Sequence, residues 1–499
     1  MPLGIDGLPP RHGAVPDVTN DLVVVVPGIM GSALHDRDAG RDVWGLKDLR
    51  WYGRAWSSKS GLDALALSDA ERDRLADGCY DPQTARVTAT GLLEFPAALP
   101  FLDGMEPYTN LLKRLRTVVA DPAAIVTFPY DWRLPVTVNS RLLAARIGER
   151  LRAWRQHPKQ LAASALHQGR PPRVVIVAHS MGGLVTRGLS LIDGATSTIR
   201  ATITLGTPFY GSVKTTALLN TGSGAPVPMP QRRLREVVAG LPGVYDLLPT
   251  YRCRVVGGSD LCRLTAGDIA DLGGDADLAR SSLQRLAELQ EQDLPHHRAV
   301  VGTGQPTAQS LTLEGGVVKV QQHYYLRHDD GELIRDDYGR LTECDLQGDG
   351  TVYRYAASPA GYADPQHVVQ QHGALAATGD TLGLVCGIIT GRGTQGIYLG
   401  TGDLGLDIPG LAVPGEPFPV GVTAGGGPLD PAAVDGGVWD TATGRQIQRI
   451  RFAAHRDGRD GLTATVRLPE PGLFRIAVKT GGADPVTRLL ICADPVGDE

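Results

Sequence analysis

The stretch VVIVAHSMGG at 174–183 ends a run of β-branched residues on a serine and follows it with two glycines. A serine hydroxyl attacks a carbonyl only when a neighbouring base takes its proton. Hydrolases built on parallel sheets meet that need with a strand-to-helix elbow, usually written G-x-S-x-G, that lifts the hydroxyl above the sheet. Small flanking residues are required because the turn is strained and the following helix passes close to the strand. Here the pentapeptide is Ala178-His179-Ser180-Met181-Gly182, with alanine in place of the first glycine and still small enough for a crowded corner. An ordinary turn is the competing reading. The apolar strand before it and the helical pattern after it favour Ser180 as nucleophile.

Such a serine needs an acid and a base, in the order Ser, Asp or Glu, His along the chain. Residues 345–352 read DLQGDGTV and residues 370–375 read QQHGAL. Asp349, in a Gly-Asp-Gly turn, is the expected acid, with Asp345 as competitor. The turn lacks the repeated oxygen ligands of an EF-hand calcium loop, and no metal is expected. His372 is the expected base, and His367 is its rival. A neutral imidazole, ordinarily with a pKa near ~6.5, accepts the serine proton while a carboxylate holds its tautomer. Two backbone N–H groups must also face the oxygen of the tetrahedral intermediate. Met181, after the nucleophile, supplies one, and Ile29 in PGIMGS (27–32) is the candidate for the other.

These residues must be carried by strands and helices. DLVVVVPG (21–28), AIVTF (124–128), VVIVA (174–178) and IRATITLGTP (199–208) read as strands, the first and third as continuous apolar runs. Helical spacing of apolar residues appears over 106–119, 137–157 and 182–192. Strands alternating with helices predict a mostly parallel sheet covered on both faces. Two stretches break the rhythm: 39–105, with Trp44, Trp51, Tyr52 and Trp56, and 209–297, with helices near 231–239 and 277–290. Insertions of this kind sit above the carboxyl ends of the strands, where ligands bind in open α/β sheets. From about 395 short alternating strands between Gly, Pro and Asp turns predict an antiparallel β-sandwich. Its lone His455 has no catalytic company.

Composition narrows the function classes. The chain has 499 residues, 42% hydrophobic and 21% charged, with a net charge of −5 and a pI near 6.2. That balance fits a soluble multidomain globular protein and argues against a nucleic-acid partner. No apolar run is long enough to span a bilayer, and the proline- and glycine-rich start has no signal-peptide core, so a cytoplasmic protein is expected. Six scattered cysteines read as reduced thiols, with a local Cys253–Cys262 bridge as the lesser alternative.

The ordered set VVVVPGIMGSAL, FPYDWR, VVIVAHSMGGLV, ITLGTPFYGS, YDLLP, GDGTV and QHG resembles the lecithin:cholesterol acyltransferase family. That family includes lysosomal phospholipase A2 and phospholipid:diacylglycerol acyltransferase. The most specific part is PYDWR together with HSMGG and LGTPFYGS. The resemblance implies an α/β-hydrolase with Ser180, Asp349 and His372 as catalytic triad and Ile29 and Met181 as oxyanion donors. It further implies lipid or acyl contact by the segment around Trp44, a cap and lid within 209–297, and Tyr130, Asp131 and Trp132 beside the active-site entrance. A purely structural loop is the equal alternative for those last three residues. The chain departs from the family in reading YRYAASP after GDGTV, in its cysteines and in its C-terminal sandwich.

The expected architecture is therefore an N-terminal extension (1–20), an α/β-hydrolase domain (21–392) with insertions near 39–105 and 209–297, and a β-sandwich (395–499). The expected activity is that of a serine lipase/esterase or O-acyltransferase, without a cofactor. It would take an acyl group from a phospholipid or other ester and pass it to water or an alcohol, in contact with a lipid surface. The sandwich would bind an unidentified ligand or protein. Two alternatives stay open: a soluble carboxylesterase on small esters, and an inert hydrolase-fold binding protein.

Overall fold

A run such as LVVVV points apolar side chains to both faces of a strand, so both faces must be covered. The structure, a computed structural model, describes residues 18–45, 62–93, 107–223, 231–328, 332–359, 365–392, 404–409, 411–424, 429–441, 443–455, 461–480 and 485–493. Its central sheet contains β1 (Leu22–Val26), β2 (Ile125–Thr127), β3 (Val174–His179), β4 (Ile199–Leu205), β5 (His297–Thr303) and β6 (Gln366–Val369). The order is β6-β5-β4-β3-β1-β2, and every neighbouring pair is parallel. All residues of β1 and β3 are buried.

Parallel neighbours cannot be joined by tight turns, so helices cross between them. They include α1 (Pro107–Leu115), α2 (Val136–Arg155), α3 (Met181–Arg187), α4 (Lys214–Thr221), α5 (Gln231–Val238) and α6 (Ala276–Gln290), and α7 (Gly379–Thr390) follows the last strand. Helix α2 buries Leu143, Ile147, Leu151 and Trp154, the face its spacing predicts, and packs on α3 and β1. Helix α6 leads the chain back from the 209–275 insertion into β5, and its Ala279, Ser282, Leu286 and Leu289 are buried. The helix expected near 277–290 as part of a cap is thus a crossover of the central framework. This is an α/β-hydrolase fold. Among the described residues no helix is long and apolar enough to cross a membrane.

The insertions carry sheets of their own. After β1, strands Ser32–Asp36, Arg41–Trp44 and Val87–Leu92 form a small antiparallel sheet. Further along, Arg254–Val256, Asp260–Cys262, Ser310–Glu314 and Val317–Gln321 form a four-stranded sheet that joins segments far apart in the chain. Cys253 and Cys262 meet there through a main-chain hydrogen bond of 3.0 Å, and both thiols are free.

The first insertion is pinned by buried ions. Arg133 donates to both oxygens of Asp131 (2.9 and 2.7 Å) and to Glu71 Oε1 at 3.2 Å. Glu71 in turn accepts from Arg86, which also reaches Asp36. Burial works against the Arg133 charge, but Asp131 and Glu71 outweigh it and raise its pKa. Burial likewise opposes the Glu71 charge, and Arg133 foremost overcomes it, so the carboxyl titrates below its ordinary range. Removing one partner of a buried ion network costs about 3–5 kcal/mol. Arg133→Met is therefore expected to lose that much stability by denaturant unfolding at pH 7. Because the Glu71 pKa is depressed on folding, its contribution is present above the ordinary carboxylate range and lost as pH falls through the folded value. The gap between variant and wild type is expected to narrow in acid.

Past residue 404 a second core forms around Leu406, Val420, Val422, Val438, Leu462, Val466, Ile476, Val478 and Leu490. Two sheets face each other across it. One contains Leu404–Asp407, Pro417–Ala424, Leu462–Arg467 and Ala453–Ala454, and the other Leu411–Ala412, Val486–Cys492, Gly472–Thr480, Val434–Asp440 and Gln446–Ile450. Strand Pro417–Ala424 alternates exposed and buried residues as a sandwich strand must. One pair, Leu411–Ala412 with Ile491–Cys492, is parallel. The expected boundary near 392–400 lies outside the described residues, as do Trp51, Tyr52, Trp56 and most of the N-terminal extension.

Candidate active site

Ser180 stands between the last residue of β3 and the first of α3 with φ 52° and ψ −128°, a conformation costly for a residue with a side chain. Its N–H is tied to Leu205 O at 2.9 Å, which fixes the corner against β4. The helix leaves so close to β1 that a Cβ on Gly182 would lie 2.4 Å from Pro27 O. Ala178 fits in the expected place of a glycine because it still lies in register between Val26 and Thr204.

The side chain of His372 connects the serine to Asp349. Its Nε2 is 2.8 Å from Ser180 Oγ, and its Nδ1 is 2.7 Å from Asp349 Oδ2. Asp349 is 1% exposed, and its other oxygen accepts from the N–H groups of Thr351 (2.9 Å) and Val352 (2.7 Å). The Gly-Asp-Gly turn therefore orients the carboxylate with its own backbone. His372 N–H also donates to Asp349 O at 2.8 Å, which couples the two loops. The rivals lie elsewhere: His367 is exposed on β6, and Asp345 accepts from Gln309 Nε2 and from Gln347 N–H.

The loop after β1 closes over the serine. A Cβ on Gly28 would come 2.8 Å from Ser180 Cβ, so the backbone running into Ile29 passes directly beside the nucleophile. Met181 opens α3, where a first-turn N–H has no partner within the helix. Met181 follows Ser180 directly, and Ile29 follows Gly28 on the loop beside it.

Sequence reasoning overlooked His179. Gly28 N–H donates to Tyr108 Oη (2.8 Å), Tyr108 Oη meets His179 Nδ1 (3.0 Å), and His179 Nε2 meets His372 O (3.0 Å). The directions close if Tyr108 donates to Nδ1 and Nε2–H donates to the carbonyl, which requires a neutral ring. Burial, followed by the nearby His372, lowers the His179 pKa to about 3. The unfolded chain protonates this ring near ~6.5 and the folded chain refuses the proton until about 3, so stability falls as pH drops through that window. His179→Gln is expected to shrink the stability difference between pH 7 and pH 5 in denaturant titrations. The signal in the sequence was its place in the elbow, directly before the serine, but its partners come from distant segments.

The expected substrate contacts are placed differently. Trp44, Tyr130 and Trp132 are 1%, 2% and 0% exposed, and each gives its polar hydrogen to the chain's own backbone at Met30 O, Pro27 O and Ser32 O. Trp44 packs edge-on to Trp132 at 5.4 Å between ring centroids. Asp131 is occupied by Arg133. All four are buried, and their hydrogen bonds run to the loop after β1 and to Arg133. On the other side of the triad, half-buried Lys214 reaches Thr351 Oγ1 at 3.5 Å. Burial, with Arg488 next, lowers its pKa to about 8. Among the described residues no group of His, Cys, Asp and Glu could hold a metal ion.

Residues 89–268 match the sequence model of the lecithin:cholesterol acyltransferase family. The matched segment includes the FPYDWR loop, the Ser180 elbow and LGTPFYGS, and ends before Asp349 and His372. No curated protein matches the chain. Among solved structures, a chain of the Tle4–Tli4 complex aligns at 15% identity over 74% of this chain and 97% of its own, with a TM-score of 0.47. The mature form of the Bacillus licheniformis lipase BlEst2 aligns at 14% identity over 77% of this chain and 96% of its own, with a TM-score of 0.31.

Proposed function

We propose that this chain, similar over 89–268 to lecithin:cholesterol acyltransferase, is a serine hydrolase or O-acyltransferase of carboxylic esters. The observation that carries this reading is the chain of hydrogen bonds Ser180 Oγ, His372 Nε2, His372 Nδ1, Asp349 Oδ2, at 2.8 and 2.7 Å. With Nδ1–H given to Asp349, Nε2 accepts the Ser180 proton as Oγ attacks the ester carbonyl. The negative oxygen falls to the N–H groups of Ile29 and Met181. Collapse of the tetrahedral intermediate breaks the ester C–O bond, and the proton on Nε2 passes to the leaving alcohol. His372 then takes a proton from an incoming water or alcohol as its oxygen bonds to the acyl carbon; the Ser180 Oγ–acyl bond breaks and Nε2 returns the proton to Oγ, freeing the acid or new ester. Asp349 supports the imidazolium throughout and keeps its own charge.

The test is acylation followed by partition. Wild type is treated with a fluorophosphonate and its intact mass read, then given a fatty-acyl ester with and without a long-chain primary alcohol. One adduct on Ser180 and release of fatty acid support the reading. Appearance of the new fatty ester at the expense of the acid marks the acyltransferase branch. A folded wild type without adduct or turnover, in buffer and in detergent micelles, would favour the inert binding protein. A lipid substrate predicts that turnover rises as the ester passes from monomers to micelles, whereas a small-ester carboxylesterase shows no such rise.

A further inference from the structure

His372 follows β6, a four-residue strand at the edge of the central sheet. The base therefore sits where the sheet offers support from one side alone. The second side is occupied by the C-terminal sandwich, and the contact is made with three glutamines.

Gln305, just past β5, is 2% exposed. Its N–H donates to Gly348 O (3.0 Å), the residue before Asp349. Its side chain faces the first sandwich strand: Nε2 donates to Leu404 O (2.8 Å), and Oε1 accepts from Leu406 N–H (3.2 Å). The same Oε1 accepts from Gln371 Nε2 at 2.8 Å, and that amide also reaches Leu406 O at 3.3 Å. Gln371 immediately precedes His372. Gln370, 1% exposed, donates to Pro485 O (3.3 Å) at the start of the last sandwich strand and accepts from Gln371 N–H (2.9 Å).

Buried amides cost free energy unless they are paired, and an apolar seam would glue two domains with less constraint. Here two of the amides lie on the loop that carries His372, the third contacts the loop that carries Asp349, and all three pair with sandwich backbone. The approach is close: a Cβ on Gly405 would lie 2.6 Å from Gly304 O. We propose that the C-terminal sandwich is a structural half of the active site, and that Gln305 and Gln371 are positioning residues that hold His372 against Asp349 through it. The proposal rests on the reading of Ser180, His372 and Asp349 as the catalytic triad. A shift of about 1 Å in a reacting group can cost about 100-fold in rate, so a side support for the base has a measurable effect.

The experiment uses the full chain and four variants: Gln305→Ala, Gln371→Ala, the double variant, and Val420→Ala in the sandwich core, a residue that makes none of the seam's hydrogen bonds. The rate of fluorophosphonate addition to Ser180, the low-field proton resonance of His372 Nδ1–H and Tm are measured for each. Each glutamine variant is expected to react roughly 10- to 100-fold more slowly, with the low-field resonance broadened or lost. The double variant is expected to be slower than either by much less than the product of the two effects, because both act through one shared link. Val420→Ala is expected to lower Tm at least as much while reacting within about twofold of wild type. Folded glutamine variants that react within twofold of wild type would overturn the proposal, as would equal slowing in Val420→Ala. Gln371→Ala removes only two side-chain hydrogen bonds and keeps the test open if Gln305→Ala does not fold. A wild type that takes no adduct at all would overturn the underlying triad reading instead, so the two failures are told apart.

Discussion

Ser180→Ala is expected to lower ester turnover on the order of 10⁵- to 10⁶-fold and to abolish the fluorophosphonate adduct. The effect is large because a triad acts as a unit: without the hydroxyl, the base and acid have no proton to move. What survives is rate from the oxyanion donors and from binding, about 10³–10⁴ over water. The fold is expected to survive as well. Among the described residues the Ser180 side chain bonds only to His372 Nε2, while the strained corner is held by Ser180 N–H on Leu205 O, which alanine keeps. Turnover by progress curves, intact mass and Tm check the three parts. A loss of less than about 100-fold in a folded variant would point to another nucleophile.

Asp349→Asn is expected to cost about 10⁴-fold with little loss of stability. Asp349 Oδ1 accepts two backbone N–H groups, from Thr351 and Val352, so the asparagine oxygen is drawn to that position. Its Nδ2 then faces His372 Nδ1 and donates where the carboxylate accepted. The ring proton is displaced to Nε2, and a protonated Nε2 cannot take the proton of Ser180 Oγ. Geometry survives while the tautomer is wrong. Asp345→Asn is the control, expected within about twofold of wild type, because its partners are Gln309 and the backbone of Gln347 rather than the imidazole. Slowing of the Asp345 variant with no effect at Asp349 would reverse the assignment of the acid.

Much of this arrangement was legible in local patterns. The runs LVVVV and VVIVAH announce strands covered on both faces, and the residues that follow each run announce sharp turns. Helix α2 was readable because a 3.6-residue spacing survives any tertiary context that covers one of its faces. The choice of His372 over His367 was weaker. His372 leads into a helical pattern and His367 stands only five residues earlier, and the end of β6 decides which imidazole leaves the sheet to meet Ser180. The four expected substrate contacts, Trp44, Tyr130, Asp131 and Trp132, are all buried in the structure. Their residue types do not tell burial from exposure; the hydrogen bonds to Met30 O, Pro27 O, Ser32 O and Arg133 do, and these partners come from the fold.

By itself, then, the order of residues determined four of the six central strands and the main helices, though not β5 or β6, and which side chains have the chemistry to act as nucleophile, acid and base. These properties depend on spacing within about a dozen residues, where backbone sterics and side-chain periodicity operate. The tertiary structure alone decided which distant groups meet. It joined Gly28, Tyr108, His179 and His372 into one relay, gave Glu71 to Arg133, and set the sandwich against Gln305 and Gln371. Each of these contacts joins segments well separated in the chain. A hydrogen bond between such segments leaves no periodic trace in either, because its partner is selected by how the layers pack.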